Sequence, residues 1–119
     1  MSKTLKIVAA LAVALVAVGL LYLKFGLRGD LNGAEARRLV VAGARLVDVR
    51  SPREFAAAHL PGAVNIPVGD LAERLRELEP AETEIVLYCR SGMRSARAAT
   101  LLRSHGFSRV HNLGPMRAW

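Results

Sequence analysis

The chain has 119 residues and a formal net charge of +7, and its single cysteine excludes an intrachain disulfide. Its three histidines and one cysteine lack a metal-ligand spacing such as C-x-x-C, which argues against a metal site. The basic residues are not interleaved with aromatic residues and match no nucleic-acid-binding motif, so we expect no nucleic acid partner.

The N-terminal segment is apolar without a break from Ile7 to Leu23, and it is flanked by Lys6 and Lys24. At about 1.5 Å per residue, such a helix just crosses a thin hydrocarbon core. We therefore predict a single transmembrane anchor within residues 1–27. The alternatives are a cleaved signal peptide and a buried core helix. Because no polar region with a small-residue cleavage site follows the run, the anchor is favoured.

The charges beside this segment give opposing signals about its orientation. Lys3, Lys6 and the amino terminus favour an N-terminal end inside the cell, whereas Lys24 and Arg28 oppose it. The dense N-terminal charges favour a soluble domain outside the cytoplasm, with the cytoplasmic side as the alternative.

The rest of the chain is predicted to be a short linker over residues 28–31 and one α/β domain over residues 32–119. Asn32 and Glu35 form a capping pair at the start of the first helix of the domain, and Gly43 ends that helix.

Strands and helices then alternate, which predicts a layered fold with a mainly parallel sheet. The predicted strands are Leu46–Val49, Ala63–Ile66, Ile85–Tyr88 and Val110–His111. The predicted helices are one that starts with the capping box Ser51-Pro52-Arg53-Glu54, an amphipathic helix carrying Leu71, Leu75 and Leu78, and a last helix over Ser95–Ser104.

Cys89 follows the most apolar predicted strand, where ligands bind in open α/β sheets. A short loop leads from it to the helix that is expected to begin near Ser95. The inward N–H groups of such a loop, the helix N-terminus and the guanidinium groups of Arg90 and Arg94 each stabilise a thiolate. Residues 85–119 contain no acidic residue. Cys89 is therefore predicted to be a reactive, solvent-accessible nucleophile beside an anion site, rather than a small buried hydrophobe.

Three motifs in this order resemble the single-domain rhodanese family. They are DVRSPREF from Asp48, HLPGAVNIP from His59 and YCRSGMRS from Tyr88. The resemblance covers about residues 32–119. It implies a mainly parallel, five-stranded sheet with helices on both faces, here preceded by one transmembrane helix.

The resemblance also implies a sulfurtransferase that needs no cofactor. The Cys89 thiolate would take a sulfane sulfur from a small anionic donor such as thiosulfate, form a persulfide and pass the sulfur to a thiol or cyanide. The substrate-binding residues implied by the matched motif are Arg90, Ser91, Gly92, Met93, Arg94 and Ser95. Arg90 and Arg94 would hold the oxygens of the leaving sulfite, and Ser95 is further predicted to cap the following helix.

Asp48 and Arg50 match the first motif and are implied to brace the fold near the active loop. Arg50 is predicted to form a structural ion pair with Glu54. Pro115 stands where the family commonly has the second of two glycines, so the edge of the pocket and the substrate preference are expected to differ.

Two rival functions remain at this point. The domain is alternatively a persulfide carrier or partner-binding module at the membrane, which serves an unknown protein acceptor without free turnover. The other rival is a Cys-dependent phosphatase or arsenate reductase, which needs a longer loop than the one between Cys89 and Arg94.

Overall fold

The computed structural model describes residues 2–26 and 29–119. Leu27 and Arg28, where the predicted anchor ends and the predicted linker begins, lie outside the described residues. The helices are α1 (Lys3–Gly26), α2 (Gly33–Val41), α3 (Pro52–Ala57) and α4 (Met93–Ser104). The strands are β1 (Arg45–Asp48), β2 (Val64–Asn65), β3 (Ile85–Cys89) and β4 (Val110–Pro115).

The sheet confirms the predicted parallel α/β fold. Its strands lie in the order β2-β1-β3-β4, and all three pairings are parallel. Where the family resemblance implied five strands, the described residues form four. Beside β4, the Asp30 N–H donates to the Asn112 carbonyl at 2.6 Å. One such contact does not make a strand, because the chain enters the cap of α2 two residues later.

The core lies on both faces of this sheet. Every residue of β3 is buried, which explains its continuous apolar sequence. On one face, Val86 and Tyr88 pack with Ala36 of α2. On the other, Leu87 packs with Leu102 of α4. The last residue of β3, Cys89, therefore lies at the carboxyl edge of the sheet, between the two helical layers.

The prediction of one amphipathic helix across the three leucines is wrong. Two 3-10 helices, Leu71–Glu73 and Leu75–Leu78, are interrupted at Arg74, whose φ of −117° is not helical. Leu71 and Leu78 are nonetheless fully buried. Because short 3-10 turns place side chains i and i+3 on one side, they satisfy this apolar spacing without a continuous α-helix.

Helix α1 exposes its apolar side chains. Val13 is 70% exposed and Leu15 is 72% exposed. This excludes a buried core helix. The segment Lys3–Leu23 is long and apolar enough to cross a membrane, a test that a signal sequence near an N-terminus also passes.

Candidate active site

Cys89 ends β3, as predicted, and its immediate surroundings are set by the turn that follows. Helix α4 begins at Met93, two residues earlier than expected, so only residues 90–92 form the loop. Gly92 caps the helix with a φ of 101°. Glycine adopts this left-handed conformation readily, so the chain turns sharply enough to start α4 directly beside the sulfur.

Two backbone amides point at the sulfur. The Gly92 N–H donates to Cys89 Sγ at 3.0 Å, and the Ser95 N–H donates at 3.4 Å. The Ser95 hydroxyl lies 3.4 Å from Sγ and donates to the Gly92 carbonyl at 3.2 Å. Ser95 is therefore not the helix cap that the sequence predicted. It contacts the Cys89 sulfur instead, because the earlier start of α4 moves it into the first turn. Amide donors at these positions stabilise negative charge on sulfur.

The prediction of a solvent-accessible sulfur is wrong. Cys89 is 0% exposed, whereas Arg90 and Ser91 of the loop are exposed and Met93 is 66% exposed. The sulfur therefore has no contact with solvent, whereas side chains of the loop that follows it do.

Arg94 is paired with Glu54, the carboxylate that the sequence analysis predicted to pair with Arg50. Its guanidinium donates to both oxygens of Glu54, at 2.6 and 2.9 Å. This contact is the main cause that lowers the pKa of Glu54 to about 2, and it raises the pKa of Arg94. Glu54 is also fixed from its own helix, because its side chain accepts from the Ser51 N–H at 3.1 Å in a capping box. Arg90 makes no ion pair with any described residue.

The predicted pair of Arg50 with Glu54 is accordingly wrong. Arg50 pairs with Asp48 at 2.7 Å, with both side chains buried. Its backbone N–H donates to Asp48 as well, at 2.9 Å, and its guanidinium donates to the Ala58 carbonyl at 2.7 Å. Asp48 lies two residues before Arg50 and can bond both its backbone and its side chain. Glu54 is on the next helix and faces α4.

The Asp48–Arg50 pair ties together the carboxyl ends of three strands. Asn65 of β2 donates to the carbonyls of Asp48 and Arg50, at 3.0 and 2.9 Å. Tyr88 of β3 lies under the Arg50 guanidinium, which is 5.7 Å from its ring centre. Burial raises the pKa of Tyr88 to about 12, and its hydroxyl accepts from the Leu60 N–H at 3.0 Å. The two residues predicted to support the loop therefore brace the sheet edge that carries it.

Sequence reasoning missed two features of this site. The first is Glu54 as the partner of Arg94. The sequence shows its capping-box position, but nothing in the spacing indicates that its carboxylate also reaches α4. The second is a groove beside Ser91, whose walls include Asn32, Pro115 and Arg117. Among the described residues, no cluster of histidine, cysteine and carboxylate side chains is suited to a metal ion.

Comparison with known proteins places these features in context. A sequence model of the Rhodanese-like domain matches residues 32–119. The human thiosulfate:glutathione sulfurtransferase is 39% identical over 101 residues, which cover 71% of this chain and 87% of that protein. A sulfurtransferase of Allochromatium vinosum is 41% identical over 75 residues, with 62% and 69% covered. The match spans 60% of the uncharacterized protein YqhL and 40% of the putative sulfur carrier protein YrkF, both of Bacillus subtilis.

Solved structures show the same fold. The human single-domain sulfurtransferase TSTD1 superposes with a TM-score of 0.67 at 36% identity, covering 75% of this chain and 92% of that one. A rhodanese from E. coli, solved with anions, has a TM-score of 0.62 at 28% identity, with 65% and 92% covered.

Proposed function

The chain belongs to the family of rhodanese-like domains, and we propose that it is a sulfurtransferase that works through a persulfide on Cys89. The donor would be a thiosulfate-like anion and the acceptor a thiol or cyanide. The observation that carries this proposal is the pair of amides, from Gly92 and Ser95, that donate to the sulfur. The sulfurtransferase names of the human and Allochromatium relatives support the general activity.

The reaction balances without a cofactor. The Cys89 thiolate attacks the outer sulfur of thiosulfate, a new S–S bond forms, and the old S–S bond breaks so that its electron pair leaves with sulfite. The resulting persulfide anion remains beside the Gly92 and Ser95 amides. An acceptor thiolate then attacks the outer sulfur, and the electron pair of the broken S–S bond returns to Cys89.

The exposed loop residues bind the donor in this proposal. Arg90 supplies a guanidinium that no described carboxylate neutralises, and amides of the loop add neutral donors to the same anion. Because Cys89 is buried, the anion first meets Arg90 and Ser91, and the loop must shift before the sulfur atoms touch. Arg94 is available to the donor only in competition with Glu54.

The test is thiosulfate:cyanide turnover by the full chain in detergent micelles, followed as thiocyanate release. We expect steady turnover from the native chain and none above background from Cys89→Ser, which has no sulfur to form a persulfide. The proposal is overturned if the two proteins release thiocyanate at the same rate, or if neither releases any or gains sulfur from thiosulfate.

A persulfide carrier is the second candidate. The full burial of Cys89 favours it, because a shielded persulfide is protected from small acceptors, and YrkF carries the name of a putative sulfur carrier. The two functions differ in one measurement. Intact-mass analysis after thiosulfate treatment shows one added sulfur atom in both cases, but only an enzyme loses that sulfur to cyanide or a small thiol.

We further propose that α1 is retained as a single-pass membrane anchor, with the membrane contact through residues 7–23. Its exposed apolar surface and its length support this assignment. The side of the membrane that carries the domain is tested with a reporter fused after Trp119. Activity of a reporter that works only outside the cytoplasm supports the predicted orientation, and activity of a cytoplasmic reporter reverses it.

A further inference from the structure

Glu54 holds the guanidinium of Arg94 with both carboxylate oxygens, beside the first turn of α4 that follows loop 90–92. The side chains of the pair are about one-third exposed, so a small anion from solvent can reach the same guanidinium. The pair joins α3 to the first turn of α4, one residue before the Ser95 amide that contacts the sulfur. Any anion that takes Arg94 must therefore displace Glu54 or share the site with it.

We propose that Glu54 sets the charge preference of the sulfur donor, so that the site favours a singly charged donor over doubly charged thiosulfate. This inference rests on the proposed function. The Glu54 carboxylate opposes an anion in two ways. It occupies the two N–H groups of Arg94 that would bind donor oxygens, and its own negative charge repels the donor. Both effects grow with donor charge.

The effect of donor charge can be measured by comparing two donors whose outer sulfur is attacked in the same way. Thiosulfate is a dianion, and sulfite is its leaving group once the outer sulfur has passed to Cys89. An organic thiosulfonate is a monoanion whose outer sulfur is attacked in the same way, and the electron pair of its broken S–S bond leaves with a sulfinate. In both cases the Cys89 thiolate becomes a persulfide anion, so the number of atoms and charges is conserved. The leaving groups differ because an organic group replaces one sulfite oxygen in the sulfinate, which removes one negative charge.

Glu54→Gln is a suitable variant because it removes the charge and keeps the cap. Glutamine serves as well as glutamate at this position of a capping box, since its side-chain oxygen still accepts from the Ser51 N–H. The matched control is Glu77→Gln. Glu77 also forms a two-oxygen pair with an arginine, Arg74, at 2.5 and 2.9 Å, but this pair belongs to the 3-10 helices and not to the active loop.

The experiment measures kcat and KM of the full chain in detergent micelles with both donors. For Glu54→Gln we expect kcat/KM with thiosulfate to rise about fivefold through KM, the size of one partly solvated charge interaction. With the thiosulfonate we expect a rise of only about twofold, because half the donor charge halves the free-energy change, and with Glu77→Gln we expect no change for either donor. The proposal is overturned if Glu54→Gln leaves the thiosulfate KM unchanged or raises it, or if both donors gain equally.

Thiosulfate binding without turnover distinguishes this inference from the proposed function. In a Cys89→Ser background no persulfide forms, and calorimetry gives the thiosulfate affinity directly. Tighter binding after Glu54→Gln supports the role of Glu54 even if the native chain shows no turnover. Equal or weaker binding overturns that role even if the native chain is an active sulfurtransferase.

Discussion

Single residues determine whether the sulfur of Cys89 meets its two amides. Gly92 contributes one N–H itself and also makes the turn that brings the other, from Ser95, within 3.4 Å. Asp48 and Arg50 are supporting residues that act on the sheet edge and make no hydrogen bond to the sulfur. Their buried pair lies over the Tyr88 ring of β3, and Asn65 of β2 bonds the backbone carbonyls of both residues, so these contacts hold together the sheet edge that presents Cys89. Replacing either member alone would leave an unpaired buried charge, which is strongly destabilising.

Gly92→Ala tests whether the turn conformation matters for chemistry. Its φ of 101° is unfavourable for any residue with a Cβ, so we expect the loop to relax and the amides to move from the sulfur. Thiosulfate turnover should fall about tenfold or more, because small misplacements of reacting groups have large effects on rate.

The matched control for this turn is Gly106→Ala. Gly106 has a φ of 88° just after α4, and a Cβ there would have no described atom within 4 Å apart from those of the adjacent residues. We expect a similar loss of thermal stability and unchanged turnover. Equal loss of turnover in the two variants would show that backbone strain alone, and not the position of the amides, explains the effect.

At the scale of whole elements, the Glu54–Arg94 pair links α3 to α4, and its contribution to stability depends on pH. The pKa of Glu54 falls from 4.5 to about 2 on folding. A lowered carboxyl pKa gives stability that is complete above 4.5 and is lost as the pH falls through about 2. We therefore expect the melting temperature of the native chain to exceed that of Glu54→Gln at about pH 6. This difference in melting temperature should disappear at about pH 2.

Thermal melting of both full-length proteins in micelles measures that gap. Other carboxylates titrate in both proteins alike, so the difference between them isolates Glu54. A gap that stays constant from neutral to strongly acidic pH would mean that the pair adds nothing to the cohesion of α3 and α4.

The helices and strands can be predicted from the sequence where neighbouring residues determine their ends. The capping pair of Asn32 and the capping box of Ser51 fix the starts of α2 and α3, and both are confirmed. The start of α4 was misplaced because Gly92 caps it through backbone conformation and not through a side chain. The partner of Arg94 was missed since the pair spans 40 positions of sequence, and only the packing of α3 against the loop brings the charges together.

At the scale of the whole molecule, only residues 27–29 separate the end of α1 at Gly26 from Asp30. Asp30 is fixed to the outer edge of the sheet, because it accepts from Arg103 at 2.8 Å and from the Asn112 N–H at 2.9 Å. The predicted linker is thus part of the domain at Asp30. From Leu23 to Asp30 the chain can extend at most about 25 Å. With α1 in a membrane, as proposed, the domain stays close to the lipid surface.

Membrane retention of the full chain tests this arrangement. We expect the native chain to stay in the membrane pellet after a salt wash and an alkaline wash, with an intact mass that includes residues 1–28.

Val13 lies at the middle of the span Lys3–Leu23. An arginine at such a position disfavours insertion by about 2.5–3.5 kcal/mol, so Val13→Arg should move a large share of the protein to the soluble fraction. Val13→Leu should leave the pellet fraction unchanged. A native chain that is soluble with its first residues intact would show that α1 is not an anchor, and one that lacks those residues after expression would show that α1 is a cleaved signal sequence.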